Sequence, residues 1–477
     1  MDFSLNPEPK PLIKLLRLKS KLCHMKPFLL LALVLVGCTV GPDYKKPQFS
    51  TPATYKAVGL TSPPTTGSWW TSFSDPTLTL LLRDVEKNSP KILALSARLE
   101  QSRAILGLRE SDLLPTVTGE ALGTRQQDST RDIFPIPPDP YSRFRSALNL
   151  NYEIDFWGRV RRSITQQKAL FRATAADRVT ALLSTKAEVA RDYLALRHLD
   201  EEIQLLSDTI ALREENEKLV QARVNLGDTT TIDSSRARSQ TETARAELHR
   251  LTQRRTELEN AIAVLIGQNP STYSLAKAKP PRTPTIPSGV PADLLRRRPD
   301  VAATERRLAA ASEQIGINIA NYYPRVSLSA AAGFAALNTS DLFQRNSQLW
   351  NVSPNVVFPI AKFNRDKLSE KQARAAYLEA LENHRQSILN AFRDVENALS
   401  GIANLDLALS AQSKSAVAAT EASRLVKLRY QAGLVSFFEV IDAQRQQLQE
   451  QRALSQTEEA RHQATVQLIQ GLGGGWR

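Results

Sequence analysis

The chain has 477 residues, a formal net charge of +13, 42% hydrophobic residues and 23% charged residues. This balance is too apolar for a disordered chain and too charged for a polytopic helical membrane protein, and the length leaves room for two or three domains. The positive excess forms no dense basic run and no aromatic–basic interleaving, which argues against nucleic acid and for a solvated helical surface.

Residues 1–37 read as a signal peptide. Lys26 precedes an apolar run, Phe28 to Val36, that is too short to span a bilayer as a helix. Met25 stands at the normal distance for a start, which marks residues 1–24 as an over-long beginning. The run ends in Leu35-Val36-Gly37-Cys38, which resembles the bacterial lipoprotein box. That resemblance implies cleavage before Cys38, acylation of its thiol and new amine, and, with Thr39 next rather than Asp, an outer-membrane destination. The other cysteine, Cys23, falls in the removed segment, so no disulfide is expected. Residues 38–75 form a tether, rich in Pro, Thr and Ser from Gly41-Pro42-Asp43-Tyr44 onward.

The first repeat spans 76–268. Asp75-Pro76 gives a cap and a first turn, and Pro90 to Leu114 is helical by pattern until Pro115 ends it. The period then changes to two, predicting strands at about 115–124 and 143–157. In the second, Phe144, Leu148, Leu150, Tyr152, Ile154 and Phe156 share one face, while Arg145, Asn149, Asn151, Glu153 and Asp155 share the other. A transmembrane barrel strand needs lipid on one side and water on the other in this way. A half-buried strand of a soluble sheet has the same pattern; the signal peptide and anchor favour the membrane.

A long hairpin, 159–266, follows. From Arg159 to Arg223 the chain has neither Pro nor Gly, and Leu182, Val189, Leu196, Ile203 and Ile210 recur every seven residues, with Val179, Tyr193 and Leu206 filling the stripe. One helix of that kind is on the order of 100 Å long. It ends at a turn around Gly227. Residues 269–298 are a Pro-rich linker. A second repeat, 299–470, restates the first, with strands at about 325–337 and 348–360 and a hairpin at 364–469 that turns around Gly433. Ile388, Val395 and Ile402 lie 206 residues after Leu182, Val189 and Leu196, and Pro299 and Pro324 lie 209 after Pro90 and Pro115. The first copy therefore has three extra residues, as a tolerated loop insertion leaves. Residues 471–477 are a short Gly-rich tail.

His24, His198, His249, His384 and His462 stand alone, without ligand spacing, and read as isolated polar helix positions rather than a zinc site. No nucleophile, metal cluster or phosphate loop appears, so neither enzyme nor cofactor is expected. A bilayer requires every backbone group to be paired, so a membrane sheet must close. Four strands per chain cannot close alone; two chains would give a filled eight-stranded barrel, and three a twelve-stranded barrel with a lumen.

Several segments together resemble the outer-membrane factors of tripartite efflux pumps. They are Cys38 to Pro47, Tyr152 to Arg159, Asp293 to Val301, Tyr323 to Leu328, Val440 to Arg445 and the terminal Gly473-Gly474-Gly475-Trp476. The resemblance implies a mixed α and β fold: a trimeric twelve-stranded β-barrel, four strands per chain, continuous with an α-helical coiled-coil periplasmic tunnel. It implies a lipid-anchored homotrimer in the outer membrane, a periplasmic adaptor, and an inner-membrane transporter of the resistance-nodulation-division class, exporting drugs or other small molecules. It also matches Phe438, Asp442 and Arg445 to the family's periplasmic gate: an apolar ring, an acidic ring and a basic neighbour. Phe438 stands where family members often carry Leu. Four residues separate Phe438 from Asp442 and three more reach Arg445, so one helix face carries them. A solvated i,i+3 ion pair is the plain alternative for the last two. A type I secretion duct for polypeptides is the rival function in the same class, and a coiled-coil lipoprotein scaffold or adhesin is the rival from another.

Overall fold

The computed structural model describes residues 39–50, 52, 55–56, 68–127, 131, 140–284, 298–360 and 364–474. The signal segment, Cys38, most of the loop before Tyr141, Asp293 to Arg297 and Trp476 lie outside the described residues. Two compact units form, each from three stretches of chain.

One unit gathers the described part of Met1–Tyr44 with Gly107–Gln166 and Ser312–Ala375. It holds four antiparallel strands in the order β1 (Thr116–Gln126), β2 (Tyr141–Ile154), β3 (Arg325–Ala336) and β4 (Gln348–Val357). Residues directly opposite share a face. The register pairs Val117 with Leu150, Leu148 with Ala332 and Ala332 with Trp350, and on the other face Thr118 with Asn149, Asn151 with Ser329 and Ala331 with Asn351. One face is therefore apolar and solvent-facing, with Trp350 79% and Leu148 60% exposed. The other is polar and internally bonded: Asn149 Nδ2 donates to Glu120 Oε2 at 2.9 Å and Ser329 Oγ to Asn151 Oδ1 at 3.0 Å. Among the described residues the outer edges of β1 and β4 have no strand neighbour.

The two-residue period predicts a strand reaching Trp157, but β2 stops at Ile154. Asp155 leaves the ladder to cap the next helix, accepting from the amides of Val160 and Arg161 at 3.1 and 2.9 Å. Gly158, at φ +78°, completes the corner. Trp157 instead stacks on Tyr323 at 4.6 Å and donates to Pro324 O at 2.8 Å.

The second unit gathers Lys45–Leu106, Gln167–Ala311 and Ala376–Arg477. Its helices are α1 (Pro76–Asn88), α2 (Pro90–Ser111), α3 (Arg159–Asn225), α4 (Thr231–Leu265), α5 (Pro299–Ala320), α6 (Arg365–Gln431) and α7 (Phe437–Gly471), of which α2, α3, α5 and α6 extend into the first unit. α3 and α6 each have 67 residues and α4 and α7 each 35. The seven-residue stripe of α3 is what it buries. Val189, Leu196 and Tyr193 enter a core with Ile388, Val395, Val466 and Ile469, and further along Ile203, Leu206 and Ile210 meet Ala244 and Leu251 of α4. Val179 of the same stripe stays half exposed. Among the described residues no helix is long and apolar enough to cross a membrane.

Candidate functional site at the hairpin turns

Both hairpins turn by the same device. Gly227 and Gly433 take φ +82° and +73°, which side chains other than glycine's rarely tolerate. The amide after each glycine closes onto the last helical turn: Asp228 N reaches Arg223 O, and Leu434 N reaches Arg429 O, both at 2.9 Å. The returning helices are then capped from their own first turns. Thr229 Oγ1 donates to Asp233 Oδ2 at 2.7 Å, and Ser436 N to Glu439 Oε1 at 3.4 Å.

The turns are pinned by a small core shared by four helices: Val220 and Val224 of α3, Ala237 of α4, Val426 and Tyr430 of α6, and Phe437, Val440 and Ile441 of α7. One step along α7 rotates the chain by about 100°. Phe437 is therefore buried, whereas Phe438 beside it is 56% exposed. Phe438, Ile441, Asp442 and Arg445 face Thr231, Ile232, Ser235, Arg236, Ser239 and Gln240 across an open groove between α7 and α4. Asp442 Oδ1 and Arg445 Nη2 form an exposed pair at 2.7 Å. The Arg236 guanidinium lies 5.6 Å from the centre of the Phe438 ring, a contact between the two repeats that spacing along one repeat does not disclose.

The histidines depart from the sequence expectation. His198 of α3 and His462 of α7 do not stand alone: they are buried against each other, Nε2 to Nδ1, at 2.9 Å. Ser455 Oγ lies 3.4 Å from His198 Nδ1, and Thr283 Oγ1 lies 2.8 Å from His462 Nε2. Burial holds both imidazoles down at about 4; His462 further disfavours charging of His198, and the Arg461 guanidinium does the same to His462. His198, Glu201 and Glu458 offer one ligand atom each within 4.8 Å of one another. Ser455 already donates to Glu201 Oε2 at 3.1 Å, and burial and Glu201 raise the Glu458 carboxyl. Cys38, the lipidation candidate, lies outside the described residues.

An exposed apolar sheet face and two open strand edges suit one environment together: a bilayer in which several sheets join and close. That defines a channel-forming outer-membrane protein. Residues 81–268 and 290–474 match the family described as outer membrane efflux protein, and the chain belongs to that family. It is similar to the pyoverdine export outer membrane protein OpmQ of Pseudomonas aeruginosa, 31% identical over 437 residues, covering 89% of this chain and 90% of the relative. It is similar to the toluene efflux pump outer membrane protein TtgI of Pseudomonas putida, 30% identical over 464 residues, covering 93% and 97%. The structure of the outer-membrane channel OprN superposes with a TM-score of 0.86 at 29% identity, covering 92% of this chain and all of that one. The protein is accordingly an outer-membrane efflux duct, of a family that transports rather than catalyses and works with an adaptor and an inner-membrane transporter.

Proposed function

We propose that three copies of this chain close their sheets into one twelve-stranded barrel, anchored by acyl chains on Cys38, and that Phe438, Asp442 and Arg445 form the periplasmic constriction of the duct, with Gly227 and Gly433 setting the turns around it. Small molecules handed over by an adaptor and a resistance-nodulation-division transporter then leave through it passively. The observation that carries this reading is the unclosed sheet. Its strand count is even, so β4 of one copy runs antiparallel to β1 of the next and the ladder continues around a ring. Eight strands would fill their own interior, whereas twelve leave a lumen. The relatives are named for pyoverdine, toluene and cation export. Cargo that varied supports a duct whose selectivity lies in its transporter. The purified protein in detergent is expected to have the mass of three protomers and to give discrete conductance steps in planar bilayers. A stable monomer or dimer would sink the trimer, and trimers without conductance would favour a scaffold.

A further inference from the structure

One buried side chain bonds four consecutive residues of the segment just behind the proposed lipid anchor. Arg162, one turn into α3, is 4% exposed. A guanidinium has five N–H donors in a fixed fork. Here each has an acceptor: Nε donates to Val40 O at 2.7 Å, Nη1 to Pro42 O at 3.3 Å and Glu313 Oε2 at 2.8 Å, and Nη2 to Gly41 O at 3.1 Å and Asp43 Oδ1 at 3.2 Å. Four of the five acceptors come from four consecutive residues. The fifth, Glu313 of α5, is itself buried and balances the charge. Asp43 is exposed, so its share is the weakest.

The approach is possible only because glycines line it. Gly41 has φ +95°, and a Cβ on it would stand 2.7 Å from Gly316 Cα. A Cβ on Gly316 would strike the Arg162 side chain. Val40 N donates to Trp157 O at 3.1 Å, and Thr39 packs against Gly158. The corner where β2 hands over to α3 is thus closed by the segment.

We propose that Arg162 is a built receptor for residues 40–43, which fixes this segment at the β2–α3 corner and staples α3 to α5. An acyl chain on Cys38 is then attached one residue before the held corner, whose Trp157 is an aromatic residue of the kind that sits at a membrane interface. This last step rests on the lipoprotein reading; the clamp does not.

The test is limited trypsinolysis of purified trimers after Lys45, with the released fragment weighed by mass spectrometry. Arg162→Ala removes all five donors and is expected to speed that cleavage at least tenfold, leaving cleavage near the α3–α4 turn, at Lys218 and Arg223, unchanged. Gly41→Ala opens the same clamp from the other side and should give the same release, with no further gain in the double variant. Arg162→Lys keeps the charge but gathers its donors on one atom, so it should restore only part of the protection. Wild-type protection in Arg162→Ala overturns the proposal, as does a loss of protection spread equally over all sites. If Arg162→Ala does not assemble, Gly41→Ala decides, and its cleavage at the wild-type rate overturns the proposal. A protected but unacylated fragment would remove the anchor while leaving the clamp standing.

Discussion

Arg197, Asp200 and Arg255 are buried charges that hold the start of the inter-repeat linker. Asp200 bonds Arg197 at 2.8 Å and Arg255 at 2.6 Å, and the two guanidiniums go on to Ala276 O and Leu275 O at 2.6 and 2.7 Å. Asp200→Ala would leave the buried Arg197 without its carboxylate and Arg255 with Glu259 alone, a loss of about 3–5 kcal/mol. Chemical denaturation should show that loss, and a variant within 1 kcal/mol of wild type, roughly the worth of a surface pair, would mean the cluster is solvated. The His198–His462 pair gives a pH dependence of known sign. Both values are depressed from 6.5 to about 4, so the unfolded chain binds more protons between these pH values. The stabilisation is complete above pH 6.5 and is lost as pH falls toward 4, on the order of 3 kcal/mol for one of the coupled pair. Asp192, raised to about 6, and Glu458 act in the opposite direction. The measurement is therefore a difference: between pH 7.5 and 4.5, wild type should lose more stability than His462→Asn. Equal losses would show that the pair is not held neutral. The contact was not legible in the sequence. The two histidines lie 264 residues apart, not the 206 that separates equivalent positions, so repeat arithmetic points each of them elsewhere.

At the scale of elements, what could be read was what repeats locally. A seven-residue apolar stripe without Pro or Gly specifies a long helix, and alternation from Phe144 to Phe156 specifies a strand with two unlike faces. Both signals live within one element and need no partner to be recognised. Ends were less visible, because they depend on recruitment. Asp155 continues the polar face of β2 in pattern, yet its carboxylate goes to two amides of α3. The shared helix face of Phe438, Asp442 and Arg445 was legible, since the three line one groove. Arg236 over Phe438 was not, because that contact requires knowing that α4 and α7 lie side by side. The open edges of β1 and β4 carry the next expectation. Cysteines at Thr118 or Glu120 on β1, combined with Asn351 or Ser353 on β4, should yield cross-linked dimers and trimers on oxidation, and nothing larger. Absence of cross-links in every combination would mean that these edges do not meet.

In the whole assembly each turn residue is multiplied by the number of copies, and this is where the constriction is tested. Phe438 is a large apolar side chain left exposed at the start of a helix, and Ile232, its counterpart 206 residues earlier, is exposed as well. Under the proposed three-fold symmetry, three phenylalanines would stand at one level with three Asp442–Arg445 pairs beside them. Each pair is exposed on both partners, so it contributes at most about 1 kcal/mol and weakens with salt. Neither layer alone closes a pore firmly. Phe438→Ala widens the apolar layer, and Asp442→Ala removes the acid and frees Arg445. The double variant is expected to raise single-channel conductance and to let vancomycin enter the cell. Ile232→Ala should do less, because the residue four positions on is Arg236, a cation where the second repeat has Asp442. Arg236→Ala should loosen the constriction more than Ile232→Ala, since it removes the guanidinium that rests on the Phe438 ring. Raising ionic strength should open wild-type channels further than Asp442→Ala channels, which have no pair left to screen. Intact trimers of the Phe438→Ala, Asp442→Ala double variant with wild-type conductance would place the narrowest point of the duct at other residues.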